Sequence, residues 1–167
     1  WRKPLKILVI SDSHNVILDS QIEDIKKEGL FDLLIHCGDK YGDAAKFGEK
    51  LNIEKILNVP GNCDFDYNFL GSKLSITEEI EGKKFFITHG HMYFVKTDLS
   101  KLMAYARKNK IDVVVYGHTH KSQNKFIDNI LYFNPGSTVF PKDGKESFGI
   151  IEIKEGNINS RIVSLES

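Results

Sequence analysis

The sequence predicts one α/β domain over residues 1–167, parallel in its first half and more antiparallel in its second. Three observations predict it. Short apolar runs alternate with helical patterns through the N-terminal third, as in a parallel sheet covered by helices. The C-terminal part pairs strand-like runs around turn dipeptides. No linker, repeat or low-complexity stretch divides the chain. A chain of this size buries roughly 70% of the surface its unfolded form exposes, so it needs no disulfide staple.

The elements follow in order. Leu5 to Ile10 is apolar apart from Lys6 and ends in Ser11-Asp12-Ser13-His14-Asn15, which reads as a buried strand feeding a loop. Leu18, Ile22 and Ile25 recur at helical spacing within Leu18 to Glu28, and Gly29 marks the stop. Leu33 to His36 is a second strand, Cys37 to Asp43 a Gly-containing loop, Ala44 to Lys50 a helix and Ile53 to Val59 a third strand. Beyond Gly61-Asn62-Cys63-Asp64, Lys73 to Ile80 and Lys83 to Thr88 flank Glu81-Gly82 as a hairpin. Thr97 to Lys108 places Leu99, Leu102, Met103 and Ala106 on one helical face, and Asp112 to Tyr116 is a Val-rich strand ending at Gly117-His118-Thr119-His120. Lys125 to Phe133 turns at Asp128-Asn129, and Ser147 to Leu165 turns at Glu155-Gly156.

Composition excludes several classes. With 41% hydrophobic and 28% charged residues the chain is neither disordered nor fibrous. Lys+Arg and Asp+Glu both number 23, so no broad basic face for nucleic acid is expected, and attraction for phosphate must be local. Cys37 and Cys63 form no C-x-x-C pair, which favours a reducing, cytoplasmic setting. No apolar run reaches the roughly 20 residues of a membrane span, and Trp1-Arg2-Lys3-Pro4 with Leu5 to Ile10 is too short for a signal peptide. Association of identical copies into a homo-oligomer stays open.

Five polar clusters each begin where an apolar strand ends: Asp12-Ser13-His14, Gly38-Asp39, Gly61-Asn62-Cys63-Asp64, His89-Gly90-His91 and Gly117-His118-Thr119-His120. Residues beyond the carboxyl ends of parallel strands converge on one crevice, where ligands bind. In an extended segment, residues i and i+2 share a side, so Asp12 with His14, and His118 with His120, are expected to present two ligands together. Taken singly, each cluster has an ordinary explanation. Asp12 to Asn15 suits a helix cap, Gly38-Asp39 and Gly61-Asn62 are common turn dipeptides, and His-x-His occurs in edge strands. Together they hold five of the six histidines with Asp and Asn, a ligand set for borderline-to-hard divalent metals such as manganese, iron, nickel, cobalt or zinc.

In this order the clusters resemble the motif series of the calcineurin-like metallophosphoesterases over nearly the whole chain. The short length, Asn62-Cys63-Asp64 and Asn134-Pro135-Gly136-Ser137 are most similar to its small bacterial and archaeal phosphodiesterases. The resemblance implies a four-layer β-sandwich core flanked by helices. It also implies two divalent metal ions, manganese foremost, one held by Asp12, His14, Asp39 and His120 and the other by Asp39, Asn62, His89 and His118, with Asp39 as the bridge. A metal-bridging hydroxide would then attack the phosphorus of a small phosphodiester while His89 and Asn62 hold its non-bridging oxygens. The implied alternatives are a phosphomonoesterase on the same site and a non-catalytic interaction scaffold of the same fold.

Where many relatives place a histidine after the metal-binding Asn, this chain has Cys63, either a poor general acid or a packing residue. That change is associated in the family with phosphodiesterases. His91 is expected to support a ligand, touch substrate or fill its loop, and Asp64 to orient a neighbour. His36 reads as a satisfied core histidine. Asn134 to Ser137 reads as a turn first and a substrate contact second. Tyr41, Phe65, Tyr67, Phe69, Tyr93 and Phe94 are expected to pack in the core or at the rim, with stacking on an aryl or nucleoside group as the other use.

Overall fold

Strand β1 (Leu5–Ile10) sets the layering, because its side chains alternate between two apolar environments. Ile7 and Val9 face a second sheet, while Leu8 and Ile10 pack beneath helices. The computed structural model describes residues 3–64 and 73–166. Helix α1 (Asp19–Lys26), β2 (Leu33–His36), α2 (Asp43–Leu51) and β3 (Ile56–Asn58) follow β1 as two strand-helix-strand crossovers. The hairpin β4 (Ser75–Ile80) and β5 (Lys83–Thr88), a short 3-10 turn (His91–Tyr93), α3 (Ser100–Lys108) and β6 (Val113–Val115) come next. The last strands are β7 (Ser122–Ile127), β8 (Ile130–Pro135), β9 (Ser147–Lys154) and β10 (Asn157–Ser164).

Among the described residues ten strands form two mixed sheets, ordered β10-β9-β1-β2-β3 and β4-β5-β6-β8-β7. β1, β2 and β3 run parallel, as do β5, β6 and β8, and antiparallel strands complete each sheet. Between the sheets lies a layer built on Val9, Ile35, Phe85, Val113, Phe133 and Ile151. Ile22, Ile25, Phe47 and Leu51 seal α1 and α2 onto the first sheet, and Leu102 and Ala106 seal α3 onto the second. Each fully buried Leu, Ile, Val or Phe contributes about 1.5–3 kcal/mol of transfer free energy. The result is helices, sheet, sheet and helix, the expected four layers.

Local differences from the sequence reading have physical causes. The third strand is confined to Ile56–Asn58, because Ile53 instead packs with α2 and Leu34. Helix α1 starts after Leu18, which is 53% exposed and not on the buried face. Helix α3 starts at Ser100, whose N–H and hydroxyl both donate to Asp98 Oδ1. The hairpin turns stand where expected, each with two residues at positive φ: Glu81-Gly82, Asp128-Asn129 and Glu155-Gly156. Among the described residues, no helix is long and apolar enough to cross a membrane.

Candidate metal centre

The carboxyl ends of β1, β2 and β3 in one sheet and of β5 and β6 in the other open at the same edge of the sandwich, and their loops are stitched together. Asp12 N donates to Gly38 O (2.9 Å), His14 N to Asp39 O (2.7 Å) and Gly117 N to His89 O (2.9 Å). Two bonds cross between the sheets: His118 N to Asp12 Oδ2 (3.0 Å) and His89 Nδ1 to Cys37 O (2.6 Å). The segments 12–14 and 118–120 are not extended, which corrects the expected cause of their convergence. Asp12, His14, Asp39, His118 and His120 all have positive φ, between 47° and 72°. The left-handed turns, rather than an i, i+2 pleat, aim the paired side chains inward.

All seven sequence-predicted ligands meet. The donor atoms of Asp12, His14, Asp39 and His120 lie within 4.8 Å of one another, a group able to hold a metal ion. On the other side, His89 Nε2 lies 3.1 Å from Asn62 Oδ1, 3.2 Å from His118 Nδ1 and 3.4 Å from Asp39 Oδ2. Asp39 thus faces both groups, since its Oδ2 is also 3.8 Å from His14 Nε2.

The carboxylates are oriented one oxygen at a time. Asp12 Oδ2 accepts from Ser11 Oγ (2.8 Å) and His118 N. Its buried Oδ1 has no hydrogen-bond partner among the described residues and points toward His120 Nε2 (3.3 Å) and His89 Nε2 (3.8 Å). Asp39 Oδ1 accepts from Cys63 N (3.0 Å), which leaves Oδ2 to the centre. Gly61 and Gly117 make this fit, because a Cβ on Gly61 would collide with Asp39 Oδ1 and one on Gly117 with Ser11 Oγ and Asp12 Oδ2. His89 and His120 give their Nδ1–H to the carbonyls of Cys37 and Phe140 (2.7 Å for the latter), so a neutral ring offers the Nε2 lone pair inward. A buried orphan carboxylate oxygen beside inward imidazole lone pairs fits a divalent cation.

Electrostatics agree with that fit. Burial works to raise Asp12 and Asp39, but the imidazoles of His120 and His89 outweigh it and hold both carboxyls below the usual range. Burial works to lower His89, yet Asp39 and Asp12 raise it, and the Asp12 carboxylate raises His120. Without a cation these two rings therefore favour holding protons, the charge that a metal would replace. His118 is lowered to about 4 by burial and the nearby His89, and His91 is lowered for the same two reasons.

The remaining candidates fall into place around the seven. Asp64 is buried and accepts Asp39 N (2.9 Å), Gly61 N (2.8 Å) and Tyr41 N (2.9 Å), tying the loops after β2 and β3. Cys63 is exposed, its Sγ 3.7 Å from Asn62 Nδ2, and burial and Asp39 push its thiol up. His91 makes no hydrogen bond to a predicted ligand, and its ring stands 5.4 Å from that of His89 and 6.1 Å from that of His118. Tyr93 packs edge-on against Phe86, and Phe94 lies under the Lys101 ammonium, while Phe65, Tyr67 and Phe69 lie outside the described residues.

Several supports are not legible in the sequence. His36 is a satisfied core histidine, as expected, but it belongs to a chain: its Nδ1 accepts Gly38 N (3.1 Å) and its Nε2 meets Ser13 Oγ (2.9 Å). Ser13 in turn donates to Asp43 Oδ2 (2.6 Å), which also takes Asn15 N (2.8 Å). Asp43 stands where a loop meets the first turn of α2, a common place for an acid, and that junction is its one signal in the sequence. Asn134 and Ser137 hold loops as well as turning: Asn134 Nδ2 donates to Gly117 O (3.2 Å) and Thr119 Oγ1 (2.9 Å), and Ser137 Oγ to Asp12 O (2.8 Å).

Residues 5–156 match the calcineurin-like phosphoesterase superfamily domain. The chain is 31% identical over 153 residues to the probable metallophosphoesterase YsnB of Bacillus subtilis, covering 90% of this chain and 85% of that protein. It is 32% identical over 165 residues to phosphodiesterase MJ0936 of Methanocaldococcus jannaschii, covering 90% and 95%. In fold it is similar to Vps29 of Entamoeba histolytica, solved with zinc, at a TM-score of 0.76 and 21% identity over 96% of this chain and 99% of that one. The chain belongs to the calcineurin-like phosphoesterase superfamily.

Proposed function

We propose that the protein is a metal-dependent phosphodiesterase with a dinuclear centre, in which Asp12, His14, Asp39 and His120 hold one divalent ion and Asp39, Asn62, His89 and His118 the other. The observation that carries this is the bare Oδ1 of buried Asp12, facing two imidazole Nε2 atoms beside a second carboxylate aimed at both groups. Two divalent ions, when bound, supply an acidified water as nucleophile and Lewis acidity toward the phosphoryl oxygens. The residues supply position. Cys63 N and Asp64 fix Asp39, Ser11 and the His118 amide fix Asp12, and the Asn62 amide, exposed at the mouth, reaches the phosphoryl group. His91 we place as packing behind His89 and His118.

Leaving-group protonation falls to water or to the Cys63 thiol, which stays protonated at neutral pH because its environment raises it. A weak acid there favours diesters with acidic leaving groups over monoesters. A non-catalytic scaffold has no use for five ligand residues held at positive φ, so the enzymatic reading is the better account.

The test reconstitutes purified protein with manganese and measures metal by elemental analysis and turnover of a bis-aryl phosphodiester. Two ions per chain and metal-dependent turnover are expected. Absence of bound metal after reconstitution would falsify the reading.

A further inference from the structure

Beside the centre lies a cavity of about 470 Å³ with an apolar wall of Val95, Leu99 and Tyr116 and a rim of Lys96, Lys121 and Lys142. Among the described residues no carboxylate lines it, and none of the three ammonium groups is held in an ion pair. The Asp143 carboxylate next to it accepts from Ser122 N (2.7 Å) and Ser122 Oγ (2.8 Å), which hold it at the wall. Its charge offsets one of the three ammonium groups, leaving a net excess of two positive charges. In a chain with equal numbers of acids and bases, three such lysines at one cavity are a local surplus.

The cavity adjoins the centre. Thr119, in its wall, sits between His118 and His120, and Lys142 N donates to His120 O (2.8 Å). The charges of Lys96 and Lys142 reach the same two imidazoles. A substrate with its phosphorus at the centre therefore extends one arm across Thr119 into this space. Three ammonium donors suit a dianion, and the apolar wall suits the organic group that carries it.

We propose that this cavity is a substrate subsite for an arm bearing a second phosphate, so that the preferred substrates are nucleotide-like diesters with more than one phosphate group. The proposal rests on the phosphodiesterase reading and deepens it. Two chromogenic diesters with the same scissile bond test it: thymidine 5′-(4-nitrophenyl phosphate) with and without a 3′-phosphate. With manganese at low ionic strength, the 3′-phosphate is expected to raise kcat/KM about tenfold, and the ratio to fall toward one in the Lys121→Ala, Lys142→Ala double variant. Measurable but equal turnover of both esters by the wild type, or a preference that survives in the double variant, overturns the subsite. Calorimetry of the same two proteins with thymidine 3′,5′-bisphosphate and thymidine 5′-monophosphate separates the two claims. A lysine-dependent preference for the bisphosphate upholds the subsite even if neither ester is cleaved, an outcome that rejects the phosphodiesterase reading alone. Cleavage with no such preference upholds the reaction and rejects the subsite.

Discussion

Asp12, His14 and His120 are held from several directions at once, whereas Asn62 on the opposite side stands exposed, its side chain meeting His89 and Cys63 alone among the described residues. His120 is fixed by Phe140 O, and His14 packs against the Phe140 ring at 5.5 Å. In the proposed centre the first group would bring two carboxylates to one cation, and the second would share Asp39 and add a neutral amide. Affinity for a hard or borderline divalent ion follows ligand charge and rigidity. In the proposed centre the difference marks Asn62 as the loosely held ligand of the second group, while His89 in that group, buried and fixed by Cys37 O, is held as firmly as His120.

This contrast between the halves breaks most completely at the residue they share. Asp39→Ala removes a ligand from both groups, and we expect bis-aryl diester turnover to fall by at least about 10³-fold, with metal content below one ion per chain by elemental analysis. Asn62→Ala is the sharper probe. It is expected to lower turnover about 10²-fold while one tightly bound ion remains, and loss of both ions would mean the halves are not separable. Cys63→His is smaller still: by supplying a better acid it should raise the monoester-to-diester rate ratio about tenfold, read with 4-nitrophenyl phosphate and its bis ester.

The smallest effect on turnover is expected from His36→Gln, which lies behind both groups and instead tests stability. Burial lowers the His36 imidazole from 6.5 to about 4. Between those values the unfolded chain binds the proton and the folded chain does not, so acid favours unfolding. The stability is intact above 6.5 and lost as pH falls toward 4, by about 3 kcal/mol. Urea midpoints of metal-free protein at pH 7 and pH 4.5 should show this loss in the wild type and a shallower one in the variant.

The sequence made the seven candidate ligands legible and left their supports hidden, for a physical reason. A ligand must be a specific side chain at a strand end, so Asp12, Asp39, Asn62, His89 and His118 announce themselves by residue type and place. What orients them is mostly backbone: Cys37 O, Phe140 O, Cys63 N and Gly38 O, which any residue supplies. The Ser13–Asp43 bond joins residues 30 apart, and Lys96, Lys121 and Lys142 are brought to one rim only by the packing of separate loops. The four layers, too, follow from the parity of β1 once both its faces are seen to be apolar, but which face meets a sheet is decided by tertiary pairing.

The left-handed backbone at five ligand positions has an evolutionary consequence. Each such residue costs about 1 kcal/mol or more, a strain that cations in the proposed centre would offset. A lineage released from hydrolysis gains stability at every one of these positions by exchanging the ligand for glycine or asparagine. Loss of chemistry is thus a downhill path on this fold, and the two-sheet frame is free to outlive the reaction it was built around.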